Sequence, residues 1–200
     1  MGGFFVAAAA RRRIMRRMAF TIERFVEDCR AARARADWAP AVAGLLGAAL
    51  LEPGAIDAEV ASRGASARKG FDVWLRSDDL TIYQVEGRRG LISPPHDHAG
   101  VAVVGVYRGA EGYQNYRLAD GRLAPAGRIT VTAPAVSVLP PDLIHALDNS
   151  DSAGSGSIHI YDNAHFDLAE RRLWNPDTLA EAPYSTAQQF KWTKGARPAA

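Results

Sequence analysis

Ser93-Pro94-Pro95-His96-Asp97-His98-Ala99-Gly100 runs into the apolar stretch Val101-Ala102-Val103-Val104-Gly105-Val106-Tyr107, and a further histidine follows in Pro140-Pro141-Asp142-Leu143-Ile144-His145. Two histidines at i and i+2 on a strand point to one face, because side chains alternate across the pleat. Neutral imidazole is a common nitrogen ligand for iron, zinc, copper and nickel, and a third histidine from another strand could close a facial three-ligand site. The chain has five histidines, all between His96 and His165. That concentration in apolar strands points to a metal centre at His96, His98 and His145 rather than to scattered core histidines.

Outward from this stretch, the hydrophobic period separates two regions. Thr21 is a plausible helix start, with Ile22, Phe25, Val26 and Cys29 on one face. A second helix is predicted from Pro40 to Leu51, and Pro53-Gly54 breaks it before a short third over Ile56 to Ser62. From residue 71 the pattern becomes short runs rich in Val, Ile and Tyr: Phe71 to Leu75, Leu80 to Val85, Val101 to Tyr107, Tyr113 to Leu118, Arg128 to Val131, Val136 to Leu139 and Ser157 to Tyr161. Turns such as Glu86-Gly87, Arg108-Gly109 and Asp120-Gly121 separate them, which predicts a sandwich or barrel. Residues 18–200 are expected to form one domain: a helical layer (18–66), a barrel (70–165) and a C-terminal extension (166–200). The end of that extension, from Gln188, reads as polar and loosely docked.

At 200 residues, with 48% hydrophobic and 23% charged residues, the chain is an ordinary globular protein of one domain. The formal charge of +2 hides a cluster of Arg11, Arg12, Arg13, Arg16 and Arg17. Without those five the rest is slightly acidic, so neither a nucleic-acid nor a membrane partner is expected. The apolar run Phe4 to Ala10 precedes its arginines, the reverse of a secretory signal, and is too short to span a bilayer. Residues 1–17 are therefore expected to be a disordered leader. Cys29 is the only cysteine, which permits no internal disulfide, and its helical setting favours a packed thiol; a cytoplasmic location is the default.

Residues 70–165 resemble the cupin superfamily. Gly90, His96, His98 and Gly109 match its first motif, and Pro140, His145 and Asn149 its second. Within cupins, Pro94 to His98, Val103 to Tyr107, Gly109-Ala110-Glu111, Tyr116-Arg117 and Ser157-Ile158-His159-Ile160-Tyr161 resemble the cysteine-dioxygenase-like thiol dioxygenases. Two departures from related patterns bear on the assignment. Many cupins place a Glu ligand shortly after the paired histidines, and residues 99–104 contain no acid; the thiol dioxygenases lack it too. The mammalian cysteine enzymes carry a cysteine crosslinked to the triad tyrosine, where this chain has Val103. In this it is similar to bacterial 3-mercaptopropionate-type enzymes.

The resemblance implies a mainly β, cupin double-stranded β-helix (a jelly-roll barrel) behind two or three N-terminal helices. It also implies Fe(II) held by His96, His98 and His145, and a catalytic triad of Ser157, His159 and Tyr161. Those three alternate along one predicted strand and so share a face. The expected activity is a non-haem iron dioxygenase that takes a small thiol and O2 to a sulfinate, the thiol being a carboxylate such as 3-mercaptopropionate or cysteine. Arg76, on an early strand, is the expected carboxylate anchor, with Arg117 a competitor. Glu111 reads as a structural hydrogen-bond acceptor, and His165 as a loop residue outside any motif. A three-histidine dioxygenase with a non-thiol substrate is the second expectation, and a non-catalytic metal- or ligand-binding cupin the third.

Overall fold

The computed structural model describes residues 20–64 and 70–195; the expected leader lies outside them. Helices α1 (Ile22–Arg33), α2 (Trp38–Ala49) and α3 (Pro53–Ser62) come first. Thr21 caps α1 by accepting a hydrogen bond from the Arg24 amide, and Pro53 starts α3, where its missing N–H costs nothing. Among the described residues no single helix is long and apolar enough to cross a membrane.

The strands that follow are β1 (Phe71–Arg76), β2 (Thr81–Gly87), β3 (Ala102–Ala119), β4 (Arg122–Thr132), β5 (Ala135–Leu139), β6 (Ile144–Leu147) and β7 (Ser155–Tyr161). They pair antiparallel in the order β1-β2-β7-β3-β4, with β5 and β6 also on β3. This is a double-stranded β-helix behind a helical layer. Its hinge is β3, 18 residues long. The first half of β3 pairs with β7 and β5, and the second half with β4 and β6. The sequence predicts two strands here because Arg108-Gly109 reads as a turn. Instead Gly109 takes φ +69° within one bent strand, and a Cβ there would run into the Gly154 carbonyl; only glycine allows both.

Alternation on the strands serves two layers. Ile82, Val103, Ile158 and Ile160 face the helices and pack with Phe25, Cys29, Leu46 and Ile56. Gly105 lets Leu46 of α2 press onto β3, since a Cβ would sit 2.7 Å from the leucine side chain. Tyr83, Ala102, Val104 and Tyr161 face the barrel interior. Cys29 is fully buried, and burial pushes its thiol up to about 12, as expected of a packed residue.

The C-terminal extension is built into the fold around Leu173 and Trp174, while the part expected to dock loosely, from Gln188, lies on a helix with no buried residue. It forms β8 (Arg172–Trp174), β9 (Glu181–Pro183) and helix α4 (Thr186–Trp192). Leu173 and Trp174 are buried, and Ile92 and Lys194 exchange backbone hydrogen bonds at 3.0 and 2.9 Å. The apolar residues that dock this segment are few and separated by polar ones, so no period reveals them.

Candidate metal centre and its cavity

His96 and His98 lie on an extended segment rather than in a full strand, because Pro94 and Pro95 offer no amide to a ladder. A single bridge holds the segment: His96 N donates to the His145 carbonyl at 2.9 Å, and His145 N returns a bond of 3.1 Å. On its other edge Asp97 N donates to Arg172 O, and Trp174 N to Pro95 O. Asp97 points away from the two histidines and takes Arg172 Nε at 2.7 Å and the Arg172 amide at 2.8 Å. The i, i+2 alternation therefore turns both imidazoles inward, and β6 brings His145 to meet them.

Ring nitrogens of His96, His98 and His145 lie within 4.8 Å of one another, and all three residues are buried. His98 Nε2 and His145 Nε2 face each other at 3.2 Å. A cation about 2.1 Å from each of two nitrogens sets them about 3.0–3.4 Å apart, so this spacing suits a shared metal. His96 Nδ1 lies 3.0 Å from the Pro94 carbonyl; a carbonyl only accepts, so Nδ1 carries the proton and Nε2 keeps its lone pair. Burial holds all three imidazoles neutral, with His145 down to about 3 and the other two well below the usual range. Their mutual repulsion and the charge of Arg171 add to this. Neutral, convergent lone pairs are the state a metal needs.

Beside the cluster, Ser157, His159 and Tyr161 occupy one face of β7. Ser157 Oγ lies 3.0 Å from His159 Nε2, and His159 Nδ1 lies 3.1 Å from the Tyr161 hydroxyl. The Tyr161 ring meets the His98 ring edge-on, 5.0 Å between centroids. Both groups border a cavity of about 430 Å³ whose outer wall is aromatic: Phe71, Phe166, Tyr184 and Phe190.

Arg76 lies elsewhere. Its guanidinium is more than half exposed, grips Asp167 with contacts of 2.6 Å, and is absent from the cavity wall. Arg117 is exposed at the far end of β3. The arginine on the cavity wall is Arg88, in the loop after β2. Glu111 is fully buried and accepts from the hydroxyls of Tyr113 and Ser155, which makes it structural. Val103 faces the helices, so the residues of β3 nearest Tyr161 on the inner face are Ala102 and Val104; the only cysteine lies in α1.

Three site residues escape the sequence reading. Tyr83 of β2 stacks on His159 at 5.2 Å and donates to the Tyr161 hydroxyl at 2.9 Å. Its place shows only once Tyr83 is known to pair with His159. His165, expected in a loop, is 3% exposed, lines the cavity and stacks on Tyr161. Arg171, 1% exposed, has no carboxylate within 4 Å among the described residues; Nε and Nη1 bond to the carbonyls of Asp97 and His165, and Tyr184 covers it at 3.6 Å.

No protein-family profile matches the chain, and no curated protein is significantly similar to it. Solved structures do match in part. A Klebsiella pneumoniae protein with a double-stranded beta-helix domain is 16% identical over 57% of this chain and 82% of its own, with a TM-score of 0.36. The DMSP lyase DddQ of Ruegeria pomeroyi is 19% identical over 50% of this chain and 46% of its own, with a TM-score of 0.39. Oxalate decarboxylase of Bacillus subtilis is 16% identical over 48% of this chain and 24% of its own, also at 0.39. This chain therefore spans under half of either enzyme. The fold and the site together define a double-stranded β-helix with a buried three-histidine cluster.

Proposed function

We propose that the protein is an iron(II)-dependent dioxygenase that adds both atoms of O2 to the sulfur of a small thiol, giving a sulfinate. One observation supports the reading: His159 and Tyr161 of the hydrogen-bonded series Ser157–His159–Tyr161 line the same cavity as His96 and His145 of the convergent three-histidine cluster. The choice of iron rests on the resemblance, since histidine also serves zinc, copper and nickel.

His96, His98 and His145 would hold the ion. When bound, iron supplies a site for the thiolate and O2 and the electronic coupling that oxidises sulfur. The chain's own residues bind, orient and exclude water. His159, whose pKa burial holds down to about 4, is neutral at higher pH and meets the Tyr161 hydroxyl at Nδ1, which fixes that hydroxyl. Burial raises the Tyr161 phenol well above its ordinary range, so it stays protonated and holds its proton at the cavity wall. The aromatic outer wall keeps the reacting sulfur out of bulk water.

The test is oxygen uptake by anaerobically iron-loaded protein with cysteine, 3-mercaptopropionate, cysteamine and a carboxylate lacking sulfur. Sulfinate formed from a thiol, and lost in His98→Ala, is the expected result. No uptake with any thiol at full iron loading would overturn thiol oxidation.

A second reading has its own support. The cavity falls in the range of pockets that take drug-sized ligands, about 300–1,000 Å³, and Arg76 is turned away from it. Those two features favour a three-histidine dioxygenase with a larger, apolar, non-thiol substrate.

A further inference from the structure

The series Ser157–His159–Tyr161 does not end at Tyr161. Tyr83 donates its hydroxyl proton to Tyr161 and also lies 3.4 Å from His165 Nε2. A tyrosine hydroxyl has one proton. With that proton on Tyr161, the second contact requires an Nε2–H that donates to the Tyr83 oxygen. The neutral imidazole of His165 then carries a bare lone pair on Nδ1, and Nδ1 is buried without a hydrogen-bond partner.

The ring cannot turn away cheaply. Its backbone amide donates to Thr81 Oγ1 at 3.2 Å, and its carbonyl accepts Arg171 Nη1 at 2.7 Å. Its face rests on Tyr161 with centroids 3.6 Å apart. The ring borders the cavity, and its centroid lies 5.8 Å from that of His98. A buried acceptor without a donor is costly, and this one belongs to a residue that borders the cavity.

We propose that His165 is a substrate-contacting residue whose Nδ1 accepts a hydrogen bond from a hydroxyl or amine at the end of the substrate remote from sulfur. The site then selects thiols that carry a donor there, and the inference rests on the thiol reading above. Arg171 is permanently charged and bonded to the His165 carbonyl. In a buried site its field disfavours a second cation, so an uncharged hydroxyl is the better donor and an ammonium the poorer.

The experiment titrates cobalt(II)-loaded protein with a matched series, HS–CH2–CH2–X: 2-mercaptoethanol, cysteamine, 3-mercaptopropionate and propanethiol. The thiolate-to-cobalt absorption band reads binding without turnover. The native protein is expected to bind 2-mercaptoethanol about tenfold tighter than propanethiol, the worth of one hydrogen bond, with cysteamine between them. His165→Phe keeps the stacked ring but no acceptor and should abolish the preference. His165→Asn places a polar atom near the Nδ1 position and should keep it. His165→Gln places one near Nε2, restores only the Tyr83 contact and should lose it.

Equal affinities in the native protein, or a preference that survives in His165→Phe, would overturn the proposal. So would rescue by Gln rather than Asn, which assigns His165 to the support of Tyr83 alone. If no thiol gives the band, the thiol reading fails instead. Ethanolamine against propylamine, compared through the cobalt ligand-field spectrum, then reads the His165 preference by itself, and equal binding there overturns it as well.

Discussion

Asp97 separates two inward histidines and is itself turned outward onto Arg172, so one residue decides which way its neighbours face. Its carboxylate is almost fully buried and accepts two bonds from that arginine. Asp97→Ala leaves the Arg172 amide without its acceptor, and urea denaturation of the metal-free protein is expected to show a loss of about 1–3 kcal/mol. Tyr161→Phe is a different kind of change. The ring and its stack on His165 remain, while the hydroxyl that both His159 and Tyr83 reach is removed. On the proposed thiol-dioxygenase reading, iron content should stay at the native level, and turnover with the best thiol should fall about tenfold or more. A variant with native turnover would place Tyr161 outside the chemistry. The three clustered histidines are legible from the chain because spacing and alternation are local properties. His165, Tyr83 and Arg171 are not, since their roles arise from strand pairing and from a C-terminal segment that returns to the barrel. Arg76 shows the opposite difficulty: an early arginine reads as an anchor, and only the fold reveals Asp167 beside it.

At the scale of elements, β3 carries the barrel. The seven predicted strands correspond to observed ones, except that two of them are the halves of β3. A glycine marks both a turn and a bend, and which it is depends on partners distant in sequence. Gly109→Val would place a β-branched residue at φ +69° and drive its side chain into the Gly154 carbonyl. Strain of this kind costs about 1–3 kcal/mol before the collision is counted, and thermal unfolding is expected to shift down by several degrees. An unchanged transition would mean that β3 and β7 separate at this point without consequence. Helices α1 to α3 were legible from their apolar period, with ends a few residues from those predicted, because caps and helix breaks are local signals.

For the molecule as a whole, acidity is the revealing variable. His145 and His159 are held neutral down to about 3 and 4, against 6.5 in the unfolded chain. Below pH 6.5 the unfolded chain takes up protons that the folded protein refuses. The stability these two histidines contribute to the metal-free protein is therefore fully present above pH 6.5 and is lost as the pH falls from there through about 4 for His159 and about 3 for His145. Denaturant midpoints measured across this range should fall on acidification, and His159→Gln should make that fall shallower. Equal slopes for the two proteins would show that His159 is not buried as described. Two-sided burial of the barrel strands accounts for their near-continuous apolar runs, and for why the core could be read from the chain while the cavity could not. Which aromatic residues wall the cavity depends on β1, α4 and the loop at Phe166 converging from far-apart positions.

The backbone of β8 lies along the segment that bears His96 and His98, through Asp97 N to Arg172 O and Trp174 N to Pro95 O. A ligand that tightens those histidines must also tighten the strap laid over them, and linkage makes the effect mutual by the same factor. Ion capture and C-terminal closure are thus two readings of one equilibrium. Limited proteolysis beyond Trp174 should slow when the ion is added and quicken when a chelator removes it, while cleavage in the helical layer is indifferent to both. A protein whose tail is cut equally fast in either state would have its strap and its metal on separate accounts.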